Sequence, residues 1–453
     1  MIRATEILSK FVYNLRFEDL PAEVIECTKM FIVDYYAACM AGYKINIDFN
    51  NAMRGIIEET AGKQEATVLF SDRKECVLNA AYMNAVYSHG ADMDDGNRKA
   101  MGHIAAHVMS AVFALAEKLR SKWSDVIVAV NAGYEVYNRV SAAAQPGLVH
   151  RGFHSTGTAG AIACGAACAK LMGLDEQQTY YAMSIAAVQA SGLFVIMESG
   201  QCCKPINPAN AARAGLTAAM LAQRGIHGPE APLESAKGWF HAMTDEIYED
   251  MLTDGLGETF TICESYLKPY PACRHMHCAI EAAIDLRNNV SDVNDIQAIR
   301  IYIYRNAINS VGVIKYPKTL DDSKFSIYYA TAIALHKGRF AFDDLPVDNL
   351  TDEIRSTIEK ITLIEDDSME DVAKGIRGAK MVICTRDGTE HEKTVPIPKG
   401  DAANPFTWDD IKNKLLDCAS GVVGDKDCAE LLDNIKNLSF DAAFCQPTIK
   451  TIN

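Results

Sequence analysis

The stretch 157–172 constrains this chain more than any other. Ala159, Gly160, Ala163, Gly165, Ala166, Ala167 and Ala169 follow one another at helical spacing with little bulk among them. Small residues of this kind let neighbouring backbones approach closely, so the stretch predicts a tightly packed helix. Cys164 and Cys168 stand four apart on one face of it and suit a tight interior.

Helical patterns recur at 21–42, 74–88, 105–119, 124–144, 175–190 and 209–224. In the first, Pro21 suits the opening position and Gly42 a C-terminal stop, with Ile25, Phe31, Ile32, Tyr35 and Cys39 forming an apolar stripe. Residues 177–197 carry no charge and are long enough to raise a membrane question. Gln177, Gln178, Thr179, Ser184, Gln189 and Ser191 interrupt them, which predicts a buried helix ending in a turn at Gly192.

From about Thr259 the period changes. Ile299, Ile301 and Ile303 alternate with Arg300, Tyr302 and Tyr304, as in a half-buried strand. Residues 381–384 and 392–396 read as two more strands, with Asp387-Gly388 as a hairpin turn between them. A helical segment, 324–337, lies between the strands, and helical texture returns at 408–418 and 426–435. The expected fold is mainly α. A large all-α domain of residues 1–262 plus 400–453 is discontinuous, and residues 263–399 form a smaller α+β lid domain.

With 453 residues the chain exceeds one ordinary core, which agrees with two domains. Hydrophobic residues at 49% against charged residues at 23% exclude a disordered chain. A net charge of −15 argues against nucleic acid as a partner, yet leaves room for an anionic substrate where a few cations set the local field. Arg3, Glu6, Lys10, Arg16, Glu18 and Asp19 deny the start the apolar centre of a secretory signal, so a cytoplasmic protein with no membrane partner is expected. Fourteen scattered cysteines then read as reduced thiols.

Four segments put polar residues where an apolar pattern would exclude them. In 88–103, Asp92, Asp94 and Asp95 stand close enough to repel, so they need nearby cations or shift upward in pKa; a solvated capping loop and a magnesium site are both compatible with them. In 151–158, His154 sits at the mouth of the small-residue helix, and Ser155, Thr156 or Thr158 is positioned to cap it. His154 is a catalytic group or a structural hydrogen-bonder. In 200–208, Lys204 before Pro205 is held in extended backbone, as suits a side chain aimed at a ligand or one on the surface. Cys202 and Cys203, being adjacent, are poor joint chelators.

The fourth segment, 266–278, offers Cys273, His275, His277 and Cys278, which invite zinc although the spacing is too tight for one tetrahedral centre. The alternative is a cationic wall of Lys268, Arg274 and His277 that binds carboxylates and stabilises negative charge as it develops.

Together these segments resemble the MmgE/PrpD family, which includes 2-methylcitrate dehydratase, cis-aconitate decarboxylase and iminodisuccinate epimerase. The resemblance is carried by Asp92-Met-Asp94-Asp95, Gly152-Phe-His154-Ser-Thr156-Gly-Thr158, Lys204 leading into Ala212-Arg-Ala-Gly215, and Lys268-Pro-Tyr-Pro-Ala-Cys273-Arg274. It implies a homodimer, no metal or organic cofactor, a di- or tricarboxylate substrate, and a site between the domains. Asp92, His103, His154 and Tyr329 then match its catalytic residues, and Lys204 and Lys268 its carboxylate-binding lysines, with Arg274 and His277 in the same motif as Lys268.

Gly96 replaces a common threonine, Asn97 a common histidine, and Ile104 the proline of a His-Pro pair. The missing hydroxyl at 96 implies one substrate hydrogen bond fewer, with Arg98 and Lys99 as replacement cations. The implied chemistry is proton removal beside a carboxylate with loss of water. His154 or Asp92 would be the base, His103 or Tyr329 the acid, and Lys204, Lys268 and Arg274 the cations. Decarboxylation, epimerisation, or a binding protein that kept the fold and lost activity are the alternatives.

Overall fold

The structure is a computed structural model that describes residues 2–197, 203–371 and 376–452. The chain divides into two compact units, residues 1–267 with 407–453, and residues 268–406. Gly200, Gln201 and Cys202 of the Lys204 segment lie outside the described residues.

The first unit is helical. The small-residue stretch becomes the helix Ser155–Leu171, in which every residue except Lys170 is buried. It packs against Ile206–Gln223, Trp123–Ala143, Glu176–Val188 and Ala105–Leu119. Cys164 and Cys168 are fully buried, and all thirteen described cysteines are free thiols.

The first predicted helix runs Ala22–Ile45, past Gly42. Gly42 is a contact point and not a stop: a Cβ there would lie 3.2 Å from the Gly90 Cα and overlap the Tyr87 carbonyl. The helix expected to start at Lys74 is Val77–His89, because Lys74 and Glu75 pair with Ala66 and Thr67 as a two-residue ribbon. Glu176–Val188 is buried on one face only, with Val188, Leu193 and Val195 exposed beyond Met183 and Ala186. No described helix is long and apolar enough to cross a membrane.

The returning tail forms Trp408–Ala419 and Asp425–Lys436. Lys414, on the first of these, forms a buried ion pair with Asp34 and donates to the Met93 carbonyl at 2.8 Å. The tail is thereby tied to the aspartate segment.

The second unit carries a four-stranded sheet in the order Ile361–Glu365, Ile296–Ile303, Ala379–Thr385, Glu390–Val395. The first pair is parallel and the others antiparallel. Ile299, Ile301 and Ile303 are buried, as alternation requires, and Gly388 takes a φ of 83° in the expected hairpin turn. Ile361–Glu365 is a strand the alternation did not reveal. Helices His277–Arg287 and Ile327–Lys337 pack on each other, and the former also covers two of the strands.

Candidate active site

The helix Val77–His89 ends just before the aspartates, and the chain turns at Asp92, which holds a left-handed φ of 55°. Aspartate enters that region more readily than most non-glycine residues, which suits it to the turn. Asp94 and Asp95 are fully buried, so a solvated capping loop is excluded.

The three carboxylates diverge to three sets of partners. Asp95 accepts from the Ile104 and Ala105 N–H groups at 3.2 and 2.9 Å and from the Tyr134 hydroxyl at 2.8 Å, so it closes the start of the helix Ala105–Leu119. Ile104 matters here, since a proline would lack that donor. Burial, then the neighbouring Asp94, pushes the Asp95 carboxyl up to about 7. Asp94 accepts from His89 Nδ1 at 2.7 Å. Asp92 pairs with Lys204 Nζ at 2.5 Å.

His103 stands between them. Its Nδ1–H donates to the Asp95 carbonyl at 2.7 Å, which leaves Nε2 as the working nitrogen, 3.7 Å from Asp92 Oδ1. Its ring lies 4.9 Å from that of His89, and His89 lies 6.1 Å from His154. Asn207 Nδ2 donates to His154 Nδ1 at 2.9 Å. Burial, and then the Lys204 charge, hold His154 well below the ordinary histidine range. His154 is therefore neutral and carries its proton on Nε2.

Of the hydroxyls expected to cap the small-residue helix, Thr158 Oγ1 donates to the His154 carbonyl at 3.3 Å, and the other two bind the adjacent loop instead. Ser155 Oγ donates to the Met101 carbonyl at 2.8 Å, and Thr156 Oγ1 accepts from the His103 N–H at 3.2 Å. They hold the loop that presents His103.

Among the described residues, His89, Asp94 and His103 form a group whose donor atoms all lie within 4.8 Å of one another. The set fits a hydrogen-bonded network better than a metal: the His103 nitrogen nearest Asp94 carries the proton given to the Asp95 carbonyl, and His89 Nδ1 faces Asp94 at hydrogen-bond distance. The magnesium reading loses its shared oxygen centre because the carboxylates point apart.

In the second unit the expected cationic wall has other duties. Arg274 pairs with the buried Asp401 at 3.0 Å. His277 is fully buried and its Nε2–H donates to the Ala272 carbonyl at 3.0 Å. Tyr329, also fully buried, gives its hydroxyl proton to the Asp344 carbonyl at 2.6 Å, with the Pro346 carbonyl at 3.2 Å. His275 bonds the Tyr304 hydroxyl at 2.5 Å and Cys278 the Arg377 carbonyl at 3.1 Å, so Cys273, His275, His277 and Cys278 do not converge as a zinc set would. Lys268 is buried.

His89, Asn207 and Tyr134 carry structural weight at the site that the sequence reading did not assign. His89 was visible next to the aspartates; Asn207 and Tyr134 gave no signal.

Lys99 is exposed and pairs with Glu264 at 2.9 Å. The space beside Gly96 is filled by Tyr266, whose backbone N–H and C=O bridge Gly96.

Comparison with known proteins agrees along the whole chain. The MmgE/PrpD N-terminal domain matches residues 6–249 and the MmgE/PrpD C-terminal domain residues 270–438. A cis-aconitate decarboxylase-like protein of Aspergillus oryzae is 28% identical over 96% of this chain and 93% of its own length. A cis-aconitate decarboxylase of Aspergillus terreus is 25% identical, again covering 96% of this chain and 93% of its own. That of Homo sapiens is 23% identical over 96% of this chain and 91% of its own. The aspartate loop with its histidines, the two compact units and these matches agree, and the chain belongs to the MmgE/PrpD family.

Proposed function

We propose that this chain is a lyase acting beside a carboxylate of a small di- or tricarboxylic acid, and that it needs no metal or organic cofactor. One observation supports the reading most: Lys204, Asp92 and His103 Nε2 meet at one carboxylate oxygen, with neutral His154 close behind. An incoming carboxylate competes with Asp92 for the Lys204 ammonium. Asp92 and His103 Nε2 then face the carbons next to that carboxylate, where protons are exchanged.

Decarboxylation of a cis-aconitate-like acid is the first form of the reaction, supported by the printed names of the relatives. The bond to the departing carboxylate breaks as CO2 leaves, and its electron pair forms a new C=C. The old double bond's pair moves to the carbon beside a remaining carboxylate, which then takes a proton. Protonated His103 supplies that proton from Nε2, and lysine ammonium groups stabilise the transient charge.

Dehydration of a 2-methylcitrate-like acid is the second form, supported by a carboxylate and an imidazole side by side, Asp92 and His103. Losing water requires a base for the C–H and an acid for the departing hydroxyl. Asp92 takes the first part, and protonated His103 gives its Nε2 proton to the departing hydroxyl as the second. Tyr329 is left out of both forms because its proton is engaged by main-chain carbonyls.

Incubation with cis-aconitate, citrate, 2-methylcitrate and amino- or hydroxysuccinates in D2O, followed by NMR, separates the forms. Release of CO2 with deuterium in the product selects decarboxylation, and loss of water selects dehydration. Deuterium uptake with inversion selects epimerisation. Absence of turnover and exchange with every acid sinks the proposal, and activity abolished by chelators sinks the metal-free part.

A further inference from the structure

We infer that Cys27 and Cys263 are a redox pair, which a peroxide closes into a disulfide that shifts the loop carrying Asp92 and His103. The effect on turnover rests on the lyase reading of that loop; the bond itself does not.

Two separate elements bring the thiols together. Cys27 lies on the helix Ala22–Ile45, and Cys263 in a turn where its N–H donates to the Phe260 carbonyl at 3.1 Å. Both elements dock on one face of the helix Trp123–Ala143, at positions three and four apart. From the Cys27 side, Thr28 Oγ1 accepts from Asn131 Nδ2 at 2.9 Å, and the Phe31 ring lies 5.9 Å from that of Tyr134. From the Cys263 side, Thr261 Oγ1 donates to Glu135 at 2.8 Å, and the Thr261 carbonyl accepts from Asn138 Nδ2 at 3.2 Å. Between these anchors the two thiols share a hydrogen bond. Both are partly exposed, whereas Cys164 and Cys168 on the small-residue helix are fully buried. A small oxidant therefore reaches the first two and not the second two.

The shared hydrogen bond divides the proton unequally. It pushes the Cys27 thiol well above its ordinary value, with burial adding to the effect, and lowers Cys263. Cys263 is thus the attacking thiolate. Its sulfur takes one oxygen from hydrogen peroxide as the O–O bond breaks, giving a sulfenic acid and hydroxide. The Cys27 sulfur then attacks that sulfur, the S–O bond breaks, and the oxygen leaves as water with the Cys27 proton. The sulfurs together lose two electrons and the peroxide gains them.

The three residues after Cys263 each hold the aspartate loop. Glu264 pairs with Lys99 at 2.9 Å, and Ser265 Oγ accepts from Asn97 Nδ2 at 3.4 Å. Tyr266 exchanges backbone bonds with Gly96 at 2.7 and 3.0 Å. A disulfide draws its sulfurs to about 2 Å, shorter than any hydrogen bond between thiols. Position 263 must therefore move and carry those three contacts with it.

The test treats wild type, Cys27→Ser and Cys263→Ser with hydrogen peroxide, alkylates the remaining thiols and maps the peptides by mass spectrometry. Turnover of the preferred acid and amide hydrogen exchange of residues 92–103 are followed in parallel. Wild type should give a Cys27–Cys263 cross-link that dithiothreitol reverses. Its kcat/KM should fall about 10- to 100-fold and return on reduction, the scale of loss for a slightly misplaced catalytic group. Cys263→Ser should form no cross-link and keep its activity in peroxide, while in Cys27→Ser dimedone should trap the sulfenic acid at position 263. No cross-link in wild type overturns the inference. A cross-link that leaves exchange and turnover unchanged overturns the coupling to the loop. If wild type turns over no acid at all, the lyase reading falls, while cross-link and exchange still decide the redox pair.

Discussion

Residues 88–103 and 268–278 are alike on paper, each dense in charged and imidazole side chains, yet the fold employs them in opposite ways. In the first, the groups address one another: His89 with Asp94, His103 with the Asp95 carbonyl and with Asp92, and Asp92 with Lys204 across 112 positions. In the second, each described partner is structural: Asp401 for Arg274, the Ala272 carbonyl for His277, Tyr304 for His275. An imidazole tied to the backbone through one ring nitrogen, as His103 and His277 both are, can exchange protons with a ligand only where its other nitrogen is turned toward the reacting groups, as His103 Nε2 is turned toward Asp92. The motif alone does not say which has happened.

The largest effect that tests this contrast is kinetic. His103→Asn should lower kcat by about 10²- to 10⁴-fold, as for loss of a general acid or base, with little change in melting temperature. His277→Asn should lower stability first. A pure kinetic loss at position 277 in steady-state assays, with stability intact, would erase the distinction between the two segments.

Next is Arg274→Met. It leaves Asp401 buried without the guanidinium, which should cost about 3–5 kcal/mol in urea unfolding. Adding Asp401→Asn should return much of that. A raised KM at unchanged stability would instead make Arg274 a substrate cation.

A third test uses pH. The Asp95 carboxyl is raised to about 7, so the fold favours its protonated form. Its contribution is complete below the ordinary carboxylate value of about 4 and is lost as pH climbs through the folded value. Asp95→Asn cannot ionise, so its melting temperature should gain on wild type steadily between about pH 4 and pH 8. A constant difference across that range would mean that Asp95 is ionised throughout. The smallest effect is expected at Lys99, whose exposed pair with Glu264 should be worth less than about 0.5 kcal/mol, with no change in kinetics for Lys99→Ala.

Much of the helical unit was legible because its signals are local. Ala105–Leu119 begins and ends where its apolar pattern does, and the glycine- and alanine-rich stretch announced a buried helix. Gly42 was misread because a glycine at a helix end and a glycine at a helix crossing look the same until the partner, Gly90, is known. Ile361–Glu365 escaped notice because only Ile361 is buried in it, leaving no alternation to detect. At the site, residue types and loop positions were readable, but orientation was not. Nothing in the order of residues tells that Tyr134 bonds Asp95 or that Asn207 fixes the His154 tautomer, since those pairs form only when separate helices are packed. The hydroxyls of Ser155 and Thr156 were equally able to cap their own helix, and the nearby 101–103 loop decided otherwise.

The bond from Lys414 to the Met93 carbonyl spans 321 positions, and its pairing with Asp34 spans 380. During synthesis, Asp34 and the aspartate loop leave the ribosome long before this ammonium exists. Until residue 414 arrives, a carboxylate destined for a dry interior lacks the cation that makes its burial tolerable. The loop therefore acquires its final support only after the whole second unit has been made. A nascent chain that already holds every candidate catalytic residue still waits for its last helices.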